Sequence, residues 1–368
     1  MEKPVTTISR RAFAEGALAM LASTGSKAMA ATNAAQPIDE GSFVAINGVQ
    51  QWITVRGADR RNPVLLWIHG GPGVAMSGQA ALFFDWERHF TIVQWDQPGG
   101  GATAAKSLGD PGELSIERYV RDTIAVAEWS CRRLGARKLV VMGISWGTLL
   151  GLELAHRRPD LVAAYVGTGQ IVSGPKGARL GYEMALADVR DRGDHAAVAE
   201  LEKAGPPPYA TFEGFITRQK YVNPPGQKPS AEEAEAIAAA GKLLAEPPPP
   251  GARYLGPKAP TAEAVQAFLT TQRAMFAETA AWDAETRVGL RFDMPMFFFQ
   301  GADDRNTPTP LVRDFAARVR APVTKLVVIP HAGHATVVFH DVLLELLDAN
   351  VRPLVVHAAA PVDRATRT

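Results

Sequence analysis

The sequence contains one cysteine, Cys131, which excludes an internal disulfide framework. It has no pair of Cys-x-x-Cys units and no His-Glu-x-x-His string, the spacings that gather ligands around zinc. Neither sign of charge is in excess, with 39 lysines and arginines against 38 aspartates and glutamates. That balance carries no electrostatic footprint for nucleic acid or for an anionic membrane surface. The mildly apolar stretch from Ala12 to Thr24 falls well short of the ~20 residues that a membrane span requires. What is present is ordinary globular material. The chain has 368 residues, 46% of them hydrophobic, enough for one large core and an inserted lobe.

The first thirty residues differ in kind from the rest. Ser9-Arg10-Arg11-Ala12-Phe13 is a twin-arginine pattern, and Lys27 followed by Ala28-Met29-Ala30 supplies a small-residue cleavage site. Residues 1–30 are therefore expected to be a Tat-type signal peptide, and the mature protein periplasmic or secreted.

Beyond the leader, the hydrophobic pattern alternates between two periods. Ser42–Ile46 and Gln50–Arg56 flank Asn47-Gly48, a two-residue turn signal that predicts a hairpin. Val64–Ile68, Phe90–Trp95, Lys138–Ile144 and Leu161–Val166 are continuous apolar runs, as expected of strands covered on both faces. Between them Ile116, Val120, Ile124, Ala127, Cys131 and Leu134 step by four and three along one helix face, with Ser115 placed as N-cap and Gly135 as C-terminal glycine. Cys131 falls on that stripe and is expected to be a small core residue. After Gly169 the strand runs stop, and Ala, Glu and Pro dominate. Met294–Gln300, Pro308–Arg318, Lys325–Ile329 and Thr336–Leu347 then resume strand, helix, strand, helix. The expectation is an α/β fold, a mostly parallel sheet with helices on both faces. The core occupies 40–170 and 290–358, and a helical lobe spans 171–289.

In such a sheet, ligands bind beyond the carboxyl ends of the strands. Four strings begin there. Gly143-Ile144-Ser145-Trp146-Gly147 has the Gly-x-Ser-x-Gly form of a sharp strand-to-helix turn that exposes a serine. His69-Gly70-Gly71-Pro72-Gly73 is a Gly-rich loop able to aim a backbone N–H at a developing oxyanion, with Gly71 and the residue after the serine, Trp146, as the donors. His69 is read as a packing residue of that loop. Gly301-Ala302-Asp303-Asp304 and His331-Ala332-Gly333-His334 supply the carboxylate and the base that a serine nucleophile needs. Asp303 competes with Asp304 and His331 with His334; Asp304, third after Gly301, and His334, directly after Gly333, are preferred. The expected site is Ser145, His334 and Asp304.

These strings, with Asp96-Gln97-Pro98-Gly99-Gly100-Gly101, resemble the proline iminopeptidase group of α/β-hydrolases. The resemblance implies an α/β-hydrolase fold, no cofactor, an acyl-enzyme mechanism on Ser145 with the Gly71 and Trp146 amides as oxyanion hole, and a small-molecule or short-peptide substrate. It departs from the group at Pro98, where an arginine is usual, and it lacks a Trp-x-x-Trp-Glu string in the lobe. Glu183 and Glu213 are acidic lobe residues, but the sequence singles out neither as a substrate-binding group. Carboxylesterase or lactonase chemistry on the same triad stands as the alternative, and a non-catalytic binding module behind it. Dehalogenase and epoxide-hydrolase chemistry would need an aspartate where Ser145 stands.

Overall fold

The computed structural model describes residues 35–107, 112–222, 229–246 and 262–356. The expected signal peptide, residues 1–30, lies outside the described residues.

The elements run β1 (Ile38–Ile46), β2 (Val49–Gly57), β3 (Val64–Ile68), β4 (Thr91–Asp96), α1 (Gly101–Lys106), α2 (Ile116–Leu134), β5 (Leu139–Ile144), α3 (Trp146–Arg157) and β6 (Val162–Thr168). Among the described residues, five helices follow without a strand: α4 (Gly174–Asp191), α5 (His195–Ala204), α6 (Phe212–Val222), α7 (Ala231–Ala245) and α8 (Ala262–Ala281). A short α9 (Ala284–Arg287) leads to β7 (Met296–Gly301), α10 (Thr309–Arg318), β8 (Thr324–Ile329), α11 (His340–Asn350) and α12 (Arg352–Val355).

The eight strands form one sheet in the order β1-β2-β4-β3-β5-β6-β7-β8. The hairpin edge is antiparallel and everything from β4 to β8 is parallel. Ile46 pairs with Val49 across Asn47 and Gly48, which take φ of 47° and 84°. Two consecutive positive φ values are the geometry of a type I′ turn, whose twist matches that of the flanking strands.

The central strands are buried on both faces, as their uninterrupted apolar runs predict. In β3, Leu66 and Ile68 join one core while Leu65 and Trp67 join the other. In β7, Met296 and Phe298 face the first core, and Phe297 and Phe299 the second. Helix α2 closes the first core and carries both expected caps: Arg118 N–H donates to Ser115 Oγ at 3.1 Å, and Gly135 is left-handed at φ 68°. Cys131 is buried on this helix, and burial pushes its thiol up to about 11. Helices α4 to α6 share a smaller core of their own around Tyr182, Val189, Leu201 and Val222.

Most element boundaries lie one to four residues from the sequence expectation, as where β1 begins at Ile38 rather than Ser42 and β7 spans Met296–Gly301 rather than Met294–Gln300, and two differences have a local cause. The Phe90–Trp95 strand is β4, one residue later; Phe90 is spent in the turn, and its place in the ladder goes to Asp96. The single helix expected over 336–347 is a 3-10 turn, Thr336–Phe339, followed by α11, because Phe339 leaves helical geometry at ψ 44°.

Candidate active site

Four loops meet at the carboxyl edge of the parallel strands. The loop after β5 is a tight elbow in which Ser145 takes φ 51° and ψ −121° and caps α3. A side chain with a Cβ is strained there. The turn closes only because its flanks are glycine: a Cβ on Gly147 would lie 2.1 Å from the Ile68 carbonyl oxygen of the neighbouring strand. Trp146 is the first residue of α3, so its N–H has no carbonyl one turn earlier within the helix to bond.

The imidazole of His334 reaches Ser145 from the loop after β8. Its Nε2 lies 2.9 Å from Ser145 Oγ, and its Nδ1 lies 2.9 Å from Asp304 Oδ2. A carboxylate beside Nδ1 fixes the tautomer with the proton on Nδ1, which leaves Nε2 free to accept from the hydroxyl. Of the competing pairs, Asp303 and His331 are exposed and make neither contact.

Asp304 is 1% exposed and collared by donors. The backbone N–H groups of Asn306 and Thr307 donate to Oδ1 at 2.9 and 2.8 Å, and Thr307 Oγ1 and Gln300 Nε2 donate to Oδ2 at 2.6 and 2.9 Å. Burial pushes the carboxyl up, but the His334 ring and the Thr307 donors outweigh it and hold the group below its ordinary 3.8. It is therefore ionised at neutral pH.

The Gly-rich loop after β3 is braced from beneath. His69, 1% exposed, places Nδ1 2.8 Å from the Gly70 carbonyl and Nε2 3.1 Å from the Gln97 N–H. Because the Gln97 N–H can only donate, Nε2 accepts, and the proton sits on Nδ1. Burial depresses His69 to about 4, so the ring is neutral. Gln97 continues the brace: its Nε2 donates to the His69 carbonyl at 3.1 Å, and its Oε1 accepts from Trp146 Nε1 at 2.9 Å. The Asp96-Gln97 string thus ties together the two loops that carry Gly71 and Trp146. Asp96 itself is buried, accepts from Ser77 Oγ and the Ala102 N–H, and is pushed by burial up to about 6. Gly71 is at φ 119°, a conformation open to glycine, and it lines the cavity beside Ser145.

That cavity has a volume of about 800 Å³ and lies between the sheet edge and the helices of 174–281. Its lining includes Ser145, Gly71, Gln170, Tyr209, Arg218, Gln272 and Asn306. Gln272 Nε2 donates to the Pro72 carbonyl at 3.0 Å, which ties α8 to the Gly-rich loop. Neither Glu183 nor Glu213 lines it; Glu213 instead pairs with Arg273 at 2.7 Å on the surface.

Sequence reasoning placed Ser145, His334, Asp304, Gly71 and Trp146 here. It missed the collar and the helix-side groups. Gln300 was detectable as the lone polar residue in Met-Phe-Phe-Phe-Gln-Gly. Arg218 and Tyr209 carried no signal, because what sets them apart is a burial in the cavity wall that no short string encodes.

A family model described as alpha/beta hydrolase fold matches residues 63–202. YbaC of Bacillus subtilis, named a probable aminopeptidase, is 35% identical over 131 residues, which is 35% of this chain and 41% of that protein. A protein of Streptomyces coelicolor named probable proline iminopeptidase is 29% identical over 134 residues, 36% of this chain and 41% of that protein. The matched stretch thus spans less than half the length of either relative. A crystal structure of a proline iminopeptidase-related protein from Thermus thermophilus superposes with TM-score 0.54 at 21% identity, covering 86% of this chain and 99% of that one. At that identity the likeness speaks to the fold, and the fold is that of the α/β-hydrolases.

Proposed function

We propose that this chain of the α/β-hydrolase fold is a serine hydrolase that works through an acyl-enzyme formed on Ser145. The observation that carries the proposal is the unbroken relay from Ser145 Oγ to His334 Nε2 and from His334 Nδ1 to Asp304, 2.9 Å at each step. A serine hydroxyl is a weak nucleophile until a positioned base takes its proton. In this reading His334 accepts that proton as Oγ attacks the acyl carbon, then delivers it to the leaving group. Asp304 holds the ring in register and stabilises the imidazolium. The Gly71 and Trp146 N–H groups face the oxygen on which charge collects. A water then repeats the cycle and releases the acid.

The names of the sequence relatives support a small peptide or amide cut after its N-terminal residue. One observation favours the ester or lactone reading on the same residues. None of the described residues lining the cavity is Asp or Glu, the groups that would hold a free ammonium. The proposed site of action is the periplasm or beyond, a reading supported by the twin-arginine pattern Ser9-Arg10-Arg11-Ala12-Phe13.

A fluorophosphonate probe tests the core of the proposal: wild type should be labelled and Ser145→Ala should not. Equal labelling of both, or of neither, removes it. Proline naphthylamide and p-nitrophenyl acetate compared side by side then separate amide from ester preference.

A further inference from the structure

The helix side of the cavity holds a buried cation, Arg218, that makes no hydrogen bond to a carboxylate among the described residues; Asp304 acts on its charge only from a distance. Arg218 on α6 is 3% exposed and lines the cavity. Its guanidinium meets only neutral oxygens: the Gly177, Arg305 and Asn306 carbonyls and the Asn306 and Gln219 side-chain amides, all at 3.3 to 3.4 Å. Its Nε has no hydrogen-bond partner. A guanidinium has five N–H donors in a rigid fork, and its strong bonds to carboxylates are near 2.8 Å, so this one is held in place without being satisfied. Burial lowers it to about 10, and it remains a cation at neutral pH.

A second observation points the same way. The hydroxyl of Tyr209, which also lines the cavity, is buried and has no hydrogen-bond partner. Burial pushes it up to about 12, so it remains protonated and able to donate. The other charged residues of the described lining are Lys176 and Arg179, both cations. A buried cation held only by long bonds to neutral oxygens, with its Nε unpartnered, and a buried hydroxyl without an acceptor are costly unless a ligand completes them.

We infer that the substrate carries a carboxylate, which Arg218 and Tyr209 bind while its acyl carbon lies against Ser145. This rests on the serine-hydrolase reading above and specifies its substrate class. The carboxylate would supply the acceptors that the neutral carbonyls do not, and a planar guanidinium takes it through two N–H donors at once. Two sources share this chemistry: an acid on the acyl half of a monoester, and the free C-terminus on the leaving half of a short peptide. A cavity that leaves Arg218 Nε and the Tyr209 hydroxyl unpaired when a neutral substrate enters discriminates against that substrate.

Two matched substrate pairs test the inference on the full chain. The first is p-nitrophenyl hemisuccinate against p-nitrophenyl butyrate, and the second is prolyl-glycine against prolyl-glycinamide. In at least one pair the acid should exceed its neutral partner by tenfold or more in kcat/KM, and the pair that responds identifies the half carrying the charge. Arg218→Gln should collapse that ratio at least tenfold through KM for the acid. Arg218→Lys should restore part of it, and Tyr209→Phe should lower it a few-fold. If Arg218→Gln fails to fold by circular dichroism, Tyr209→Phe and competitive inhibition of wild type by succinate against succinamide give the same answer. Equal rates within both pairs, or a loss in Arg218→Gln that is the same for acid and neutral substrates, would overturn the inference. A protein that reacts with fluorophosphonate yet shows no charge preference sinks this inference alone. One that does not react sinks the reading beneath it.

Discussion

Asp304 on the sheet side and Arg218 on the helix side are both buried ions, 1% and 3% exposed, and the fold treats them in opposite ways. Asp304 has donors on both oxygens at 2.6 to 2.9 Å, drawn from its own turn, from the end of β7 and from His334. Arg218 has only carbonyls and amides at 3.3 to 3.4 Å and one bare nitrogen. In the proposed mechanism Asp304 faces the same His334 ring whatever the substrate, so it gains from being saturated in advance, because pre-set dipoles need no rearrangement as charge moves. A group that recognises a substrate must keep some of its capacity unfilled until the ligand arrives. Changes on the sheet side should therefore damage turnover or folding, and changes on the helix side should alter selectivity.

That contrast is open to attack in order of effect. Ser145→Ala should lower kcat by about 10⁶ and abolish covalent labelling, since removing the nucleophile leaves only binding and the oxyanion donors. Residual turnover within a hundredfold of wild type would mean that another group attacks. Asp304→Asn should lower kcat by about 10⁴ with little change in KM, because the amide favours the wrong tautomer of His334. If Asp303→Asn proves the damaging change, the orienting carboxylate has been misassigned by one residue.

His69 offers a test in stability. Burial depresses it from 6.5 to about 4, so the unfolded chain takes up a proton first as the pH falls. The stability contributed by its neutral ring is complete above pH 6.5 and is lost as the pH falls through 4, roughly 3 kcal/mol in all. Asp96, raised from 3.8 to about 6, works in the other direction: its share is complete below pH 3.8 and is lost as the pH rises through 6. The two partly cancel in wild type. His69→Gln removes one of them, so the difference in unfolding free energy between variant and wild type should change steadily between pH 4 and 6.5. A difference that does not vary with pH would mean the ring titrates normally.

Gln272→Ala removes the single bond from α8 to the Pro72 carbonyl. It should raise KM about fivefold, the worth of roughly 1 kcal/mol, and leave the melting temperature near that of wild type. A fall in kcat larger than the rise in KM would place this glutamine with the sheet-side machinery. The smallest effect is expected of Asp303→Asn, within about twofold of wild type in kcat/KM, as for most exposed substitutions.

Much of the sheet side is legible in the sequence because each of its requirements is local. The elbow needs glycine on either side of Ser145, the hairpin needs Asn47-Gly48, and α2 announces both its ends with Ser115 and Gly135. The choice of Asp304 over Asp303 was readable only as a position in a short string; its reason is the collar, assembled from Gln300, Asn306 and Thr307. The helix side offers no such grammar. Arg218 stands in an unremarkable amphipathic segment, and what sets it apart is a burial created by α4 and by the loop after β7. Glu183 and Glu213, the acids the sequence made available, face away from the cavity for the same reason: which side of a lobe helix looks inward depends on neighbours far along the chain.

The backbone at Ser145 has one more consequence. At φ 51° and ψ −121° it occupies a conformation that its own Cβ resists, at a cost of order 1–3 kcal/mol. The serine does not choose this posture; the packing of β5 and α3 imposes it. Heat should therefore silence the protein in two stages, as the elbow relaxes and withdraws its hydroxyl while the eight strands still hold together. A chain with glycine at 145, inert from the start, should be the hardier of the two.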